Sequence, residues 1–221
     1  MKDFKRITLL CGHYGSGKTN VAVNMALMLR KQRDNVAIAD LDIVNPYFRT
    51  KDSSEEFMQN GIRLIASNYA NSNVDIPALP QEMYSITDNK DLSVIIDVGG
   101  DDRGALALGR LAPMIMEEDD YEMLMVINCY RPLTRDAQST IEVMREIEYA
   151  SHIKFTGIVN NSNLGVATTK EDVLSSLAYA DEVSELSQLP VVCTTVEKNI
   201  YNDLCDKIEN LLPLSLQAKP V

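Results

Sequence analysis

The sequence predicts a three-layer α/β protein with a mostly parallel, doubly wound sheet of about seven strands. Three observations lead to this prediction. Short apolar runs alternate with segments of helical periodicity along the chain, which is typical of βα units. Residues 93–96 and 123–127 are apolar without polar alternation, as buried parallel strands are. A glycine-rich stretch, residues 12–19, separates the first apolar run from the first helical segment.

The predicted elements follow one another without a repeat, linker or low-complexity tract, so we expect residues 1–221 to form a single domain. Strands are expected at residues 6–11, 35–40, 62–66, 92–97, 122–128, 153–159 and 190–194. Helices are expected at residues 18–31, 78–86, 104–116, 134–150, 169–184 and 199–212, with a short helix near 53–60. The longest irregular stretch, about 41–90, is a candidate functional loop.

Composition excludes several classes of partner. A hydrophobic content of 45% and a charged content of 24% are ordinary for a globular protein. The formal net charge of −11 argues against a nucleic-acid surface and against an anionic membrane face. The chain shows neither a signal peptide nor an apolar run of membrane-spanning length, so we expect a cytoplasmic protein. None of the four cysteines forms a C-x-x-C pair, so no zinc or iron–sulfur signature is present.

The glycine-rich stretch matches the pattern G-x-x-x-x-G-K-[ST] of a phosphate-binding loop, the P-loop. Such a loop aims backbone amides at phosphate oxygens, and the following helix dipole favours their negative charge. Lys18 is expected to reach the β- and γ-phosphates, and the Thr19 hydroxyl to bind Mg²⁺. The predicted nucleotide-binding segment comprises Gly12, His13, Tyr14, Gly15, Ser16, Gly17, Lys18, Thr19 and Asn20.

Acidic residues follow two of the predicted strands, at the edge of the sheet where ligands bind in doubly wound folds. Asp97 ends the fourth strand and is typical of an aspartate that holds Mg²⁺ directly or through water. Gly100 would let a backbone amide approach a γ-phosphate. Asp40 and Asp42 leave the second strand and are candidates for orienting water or holding Mg²⁺, with a plain turn as the alternative.

Two further groups of residues follow strands at the same edge. Asn160 and Asn161 come after the sixth strand, and an asparagine amide can pair with the N6/N7 edge of adenine. Asparagine is also a common turn residue, so the structural alternative is equally good. Arg131 and Arg135 flank Pro132 after the fifth strand, and we expect them to be solvated, with a substrate or partner role as the alternative.

These motifs together resemble the MinD/ParA class of P-loop ATPases, the SIMIBI class, which also includes the nitrogenase iron protein and the CobQ/CobB-type synthetases. The resemblance covers nearly the whole chain. It rests on G-H-Y-G-S-G-K-T at 12–19, D-L-D at 40–42, I-I-D-V-G-G at 95–100 and G-I-V-N-N at 157–161. Residues 42–49, 74–80 and 99–102 are most similar to a group of compact, uncharacterised bacterial ATP-binding proteins.

The resemblance implies a role for each matched residue, with ATP or ADP and Mg²⁺ as the ligands. Lys18 and Asp42 take the catalytic positions, Asp42 orienting the attacking water. Thr19, Asp40 and Asp97 take the positions around the metal, and Gly100 senses the γ-phosphate. Asn161 takes the place of an adenine-contacting asparagine, with Asn160 as the alternative.

One departure from the class concerns dimerisation. The signature loop K-G-G-x-G-K-[ST] carries a first lysine that reaches the partner's nucleotide, and His13 stands at that position here. A neutral imidazole does not replace a permanent cation, so the sequence leaves a homodimer open. Arg49 and Arg103 are candidates for supplying the charge instead.

Three functional hypotheses follow. The first is a Mg²⁺-dependent ATPase with slow hydrolysis that acts as a nucleotide-dependent switch on an unidentified protein partner. The second is an ATP-dependent kinase or synthetase of the CobQ or dethiobiotin synthetase type, with residues 66–80 lining a pocket for a small-molecule substrate. The third is a nucleotide-binding module with negligible hydrolysis.

Overall fold

The computed structural model describes residues 3–41, 53–66, 81–100 and 102–216 of the chain. Eight strands of these residues form one sheet in the order β3-β2-β4-β1-β5-β6-β7-β8, and every neighbouring pair is parallel. The strands are β1 Ile7–Cys11, β2 Val36–Leu41, β3 Arg63–Ala66, β4 Ser93–Val98, β5 Tyr121–Ile127, β6 Gly157–Asn160, β7 Val191–Glu197 and β8 Leu211–Leu214.

Helices cover both faces of the sheet, which gives the three layers that the sequence predicts. They are α1 Lys18–Arg30, α2 Ser54–Gln59, α3 Gln81–Asp88, α4 Asp102–Gly109, α5 Ala112–Glu117, α6 Ala137–Ser151, α7 Lys170–Ser175, α8 Leu177–Ser187 and α9 Lys198–Tyr201. Helices α1 and α2 pack on one face. Helices α3 to α6 and α8 pack on the other. None of the described helices is long and apolar enough to cross a membrane.

The central strands explain the apolar runs in the sequence. Every residue of β1, β2 and β4 is buried, because these strands have a neighbour on each side and a helical layer on each face. Leu9 and Ile96 face the core with α3 to α6, whereas Leu10 and Ile95 face the core with α1. The lack of polar alternation therefore reflects burial on both faces.

The helix predicted at residues 199–212 is wrong. Helix α9 has only four residues, and after a series of turns the chain forms β8, an eighth strand beside β7. Pro213 lies in β8, which pairs with β7 and is the last strand of the sheet that the described residues form. A proline is tolerated there because an edge strand can spare one backbone donor.

Other predicted elements differ from the observed ones in their boundaries, because two helices are split and one strand is shorter. The helix predicted at 104–116 is two helices, and Pro113 lies in the first turn of α5, where proline is tolerated. The helix predicted at 169–184 is α7 and α8, which meet at Ser176. The strand predicted at 153–159 occupies only the four residues of β6. The beginning of the helix predicted at 78–86 lies outside the described residues.

Candidate nucleotide-binding site

The P-loop, residues 12–19, turns the chain from β1 into α1, and two of its glycines are sterically required. A Cβ on Gly12 would stand 2.4 Å from the Val126 carbonyl oxygen. Gly17 caps α1 with a left-handed φ of 86°. A Cβ there would stand 2.3 Å from Asn161 Nδ2. Both positions therefore exclude a side chain.

The polar side chains that follow in the P-loop are buried. Lys18 is 5% exposed at the start of α1, next to Thr19. The Ser16 hydroxyl oxygen is buried and has no hydrogen-bond partner among the residues that the structure describes. Burying a cation and a hydroxyl is costly unless an anion or acceptor joins them. The arrangement therefore fits an anionic ligand at the beginning of α1.

Asp40 and Asp97, two of the three aspartates predicted near the phosphates, lie side by side in the sheet. Asp40 of β2 is in register with Asp97 of β4, and Asp97 is in register with Leu10 of β1. Side chains of residues paired in a parallel sheet point to the same face, and this is the face covered by α1. Asp97 is completely buried, and Asp40 nearly so. Both carboxylates thus share the face that carries Thr19.

Electrostatics at Cys11 confirm that charges gather at this end of the sheet. Burial raises the pKa of the Cys11 thiol, which the Lys18 ammonium opposes and the Asp97 carboxylate reinforces. A cation and a carboxylate therefore both act on the last residue of β1.

Hydroxyl and carboxylate oxygens, such as those of Thr19, Asp40 and Asp97, are of the kind that Mg²⁺ takes as ligands. Within the described ranges no group of three or more His, Cys, Asp or Glu side chains is placed to hold a metal ion. Mg²⁺ usually takes one or two protein oxygens and completes its shell with water and substrate phosphates. Thr19, with Asp40 and Asp97 behind it, would supply those oxygens.

Gly100 brings the loop after β4 against the P-loop. A Cβ on Gly100 would stand 2.7 Å from Tyr14 N, 2.9 Å from Lys18 Nζ and 3.0 Å from His13 C. The loop passes as backbone only, so its amide can approach the group that Lys18 binds. The γ-phosphate contact of Gly100 stays a prediction.

Asn161 joins the P-loop to β7. Its side-chain Nδ2 donates to the Ser16 carbonyl oxygen at 2.6 Å, and its Oδ1 accepts from the Thr195 hydroxyl. Asn161 is 2% exposed, and Thr195 is also buried. Sequence reasoning missed Thr195, because nothing local in the chain connects a β7 hydroxyl with the P-loop.

Asn160 is engaged elsewhere. Its Nδ2 donates to Ser176 Oγ at 3.0 Å, and its Oδ1 accepts from the Ser162 amide at 3.2 Å. The side chain is completely buried. Both asparagine side chains are therefore buried and hydrogen-bonded within the protein, and a contact of either with a nucleotide base stays a prediction.

Arg131 differs from the solvated side chain that the sequence suggests. It is half-buried, and its Nε donates to the Gly15 carbonyl oxygen at 2.7 Å. The position of Arg131 directly after β5, the strand beside β1, is the sequence signal that could have indicated a contact with the P-loop. Arg135 is indeed exposed and pairs with Asp136.

The remaining P-loop residues are more accessible. Tyr14 is half-exposed at the tip of the loop, and its carbonyl oxygen contacts His13 Nδ1 at 3.0 Å. The Asn20 carbonyl oxygen accepts from Asn24 Nδ2 within α1. Asp42, Arg49, most of the 66–80 stretch and the side chain of Arg103 lie outside the described residues.

The fold and this site define a P-loop nucleotide-binding protein. Residues 7–199 match the CobQ/CobB/MinD/ParA nucleotide binding domain. Because the match spans most of the chain, the protein belongs to that family. Comparison with curated protein sequences gave no match.

Solved structures with a similar fold support the architecture. FtsY from Mycoplasma mycoides is 21% identical with a TM-score of 0.56, and the match covers 88% of this chain and 62% of FtsY. Cell division protein FtsY from Thermotoga maritima is 20% identical with a TM-score of 0.55, covering 89% and 63%. FlhF in complex with GTP and Mg²⁺ is 14% identical with a TM-score of 0.55, covering 89% and 68%. At these identities the likeness concerns the fold alone.

Proposed function

We propose that this protein binds ATP with Mg²⁺, hydrolyses it slowly and acts as a nucleotide-dependent switch on a protein partner. The main support is the contact between Gly100 and the P-loop. A Cβ on Gly100 would stand 2.9 Å from Lys18 Nζ, so the loop after β4 lies where a terminal phosphate held by Lys18 would be sensed.

That contact couples the site to a helix. A Cβ on Gly104 of α4 would stand 2.5 Å from the Gly99 Cα, so the beginning of α4 packs directly on the loop. A change at Gly100 on phosphate binding is therefore passed to α4 through backbone contact.

Adenine is favoured over guanine by the residues after β6. Residues 160–163 read Asn-Asn-Ser-Asn and contain no carboxylate. Guanine offers two neighbouring donors on its Watson–Crick edge, which a carboxylate accepts best, whereas an amide matches the donor and acceptor of adenine. The bound GTP of FlhF belongs to that distant neighbour.

Nucleotide titration tests binding and base choice. Calorimetry is done with ADP, a non-hydrolysable ATP analogue and the matching guanine nucleotides, each with and without Mg²⁺. We expect higher affinity for the adenine nucleotides, and we expect binding to require Mg²⁺. Lys18→Ala should abolish binding, while Lys31→Ala, at the exposed end of α1, should leave it unchanged. Equal affinity for both bases would reject the adenine assignment.

Hydrolysis depends on Asp42 in this proposal. Asp42→Asn should keep ATP affinity and lose phosphate release, because an amide does not orient the attacking water as a carboxylate does. Phosphate release followed under single-turnover conditions measures this directly. Retained hydrolysis would mean that another residue positions the water.

The switch itself is tested by light scattering and limited proteolysis. Relative to ADP, we expect the ATP analogue with Mg²⁺ to change the oligomeric mass of the protein in solution or the pattern of protease cleavage around residues 98–104. Identical behaviour with both nucleotides would favour a small-molecule kinase or a passive nucleotide-binding module instead.

A further inference from the structure

A second cation lies against the P-loop outside the P-loop motif. Arg131 Nε donates to the Gly15 carbonyl oxygen at 2.7 Å. The Arg131 Cδ lies 3.6 Å from where a Cβ on Gly15 would stand, so the side chain folds back over the loop. This is the one hydrogen bond that its side chain makes to the part of the chain that the structure describes. Among the described residues, the terminal guanidinium nitrogens have no hydrogen-bond partner.

The backbone that carries Arg131 is firmly anchored. Asn128 is 1% exposed, and its Oδ1 accepts from the amides of Tyr130 and Asn163. The Asn128 carbonyl oxygen accepts from the Arg131 amide and from the hydroxyl of Thr134, which is completely buried. The backbone position of Arg131 is therefore fixed by the protein itself, which lowers the entropic cost of a contact with a ligand.

Strand order places Arg131 opposite Gly100. Strands β4 and β5 lie on the two sides of β1, so the loops that follow them flank the P-loop from opposite directions. Gly100 meets the loop at His13 and Tyr14, and Arg131 meets it at the next residue, Gly15. The loops after β4 and β5 therefore contact consecutive residues of the P-loop, on the segment that leads to Lys18.

We propose that the Arg131 guanidinium binds the terminal phosphate of the bound nucleoside triphosphate and makes the site prefer a triphosphate over a diphosphate. The assignment rests on the proposed nucleotide binding. A guanidinium has five N–H donors, and with Nε engaged by Gly15 the four on the two terminal nitrogens can hold phosphate oxygens in pairs. Arg131 also brings a permanent positive charge to the P-loop at Gly15.

The experiment compares two nucleotides in four proteins. Affinities for Mg²⁺-ADP and for a non-hydrolysable Mg²⁺-ATP analogue are measured by calorimetry in the wild type, Arg131→Ala, Arg131→Lys and Arg135→Ala. Arg135 is the matched control, because its side chain is 77% exposed on the same loop and pairs with Asp136. Circular dichroism confirms that each variant is folded.

We expect Arg131→Ala to weaken the ATP analogue about 10- to 100-fold and to change ADP affinity less than about 2-fold. Arg131→Lys should recover part of the loss, and Arg135→Ala should match the wild type. An equal loss for both nucleotides would overturn the assignment and leave Arg131 as a support of the P-loop, and unchanged affinities would overturn it as well. A wild type that binds neither nucleotide would instead refute the proposed function.

Discussion

The two sides of the P-loop are built in different ways. On one side, which we call the β4 flank (Asp97–Gly100), the approach to the P-loop is made by glycine backbone. On the other, the β6 flank (Asn160, Asn161 and Thr195), buried side chains form a hydrogen-bonded chain from β7 to the Ser16 carbonyl oxygen. One side depends on the absence of side chains, and the other on their presence.

The difference indicates that the two flanks have different roles. Buried hydrogen bonds on the β6 flank hold the P-loop in shape, since breaking any of them leaves a buried polar group unpaired. The β4 flank depends on close fit, so it responds to whatever occupies the space beside Lys18. We therefore expect damage on the β4 flank to discriminate between nucleotides and damage on the β6 flank to affect all of them alike.

The largest expected effect comes from a methyl group on the β4 flank. Gly100→Ala would place a Cβ 2.7 Å from Tyr14 N and 2.9 Å from Lys18 Nζ. Overpacking of this kind should lower affinity for the ATP analogue about 10- to 100-fold, with a smaller loss for ADP. Competition titration measures both affinities.

Gly165→Ala is the control for that change, since no atom lies within 4 Å of the added Cβ. Because the φ of Gly165 is left-handed, at 67°, we expect a small loss of stability in this variant, but nucleotide affinity should not change. Equal losses for ATP analogue and ADP in Gly100→Ala would contradict the distinction between the flanks.

The next effect breaks the β6 flank. Asn161→Ala leaves the Ser16 carbonyl oxygen and the Thr195 hydroxyl without their partner, so the free energy of unfolding should fall by about 1–3 kcal/mol. ADP and ATP analogue should weaken by the same factor. Chemical denaturation and paired titrations measure the two quantities, and a loss confined to the ATP analogue would refute this view of the flank.

A smaller effect tests the far end of the same chain of hydrogen bonds. Thr195→Val keeps the side-chain shape and removes the donor to Asn161 Oδ1, which should cost about 1 kcal/mol of stability. Thr194→Val is the matched control, because Thr194 is also a buried threonine of β7 and its side chain points to the opposite face of the sheet from Thr195. The double variant with Asn161→Ala should be less destabilised than the sum of the singles. Additive losses would mean that the two residues act separately.

The smallest expected effect lies outside both flanks, at the start of α7, and depends on pH. Hydrogen bonds from Thr169, at the start of α7, hold the pKa of the Asp172 carboxyl below its usual value. Because the folded pKa is the lower one, Asp172 stabilises the protein above the unfolded pKa of about 3.9 and loses this contribution as pH falls through the folded value. Asp172→Ala should therefore lower Tm slightly at pH 7 and not at all well below pH 3. A constant difference in Tm across that range would disprove the charge dependence.

Local signals in the sequence were sufficient for the P-loop and for the sheet around it. The first strand, the glycine-rich loop at 12–19 and the following helix are contiguous in the sequence, so one segment is enough to predict the P-loop. The apolar runs ending at Asp40 and Asp97 predicted two carboxylates at one edge, and β2 and β4 do lie side by side. The last strand was missed, because Leu211 to Leu214 become a strand only by pairing with β7.

By itself the sequence determined the fold class, the phosphate-binding loop and the edge of the sheet where the site forms, since each follows from periodicity or from spacing over a few residues. Tertiary structure alone decided that Asn161 supports Ser16, 145 positions away, and that Arg131 lies over Gly15, 116 positions away. The physical reason is that a hydrogen bond selects its partner by distance in space. Strand order sets that distance, and a single sequence carries no local record of it.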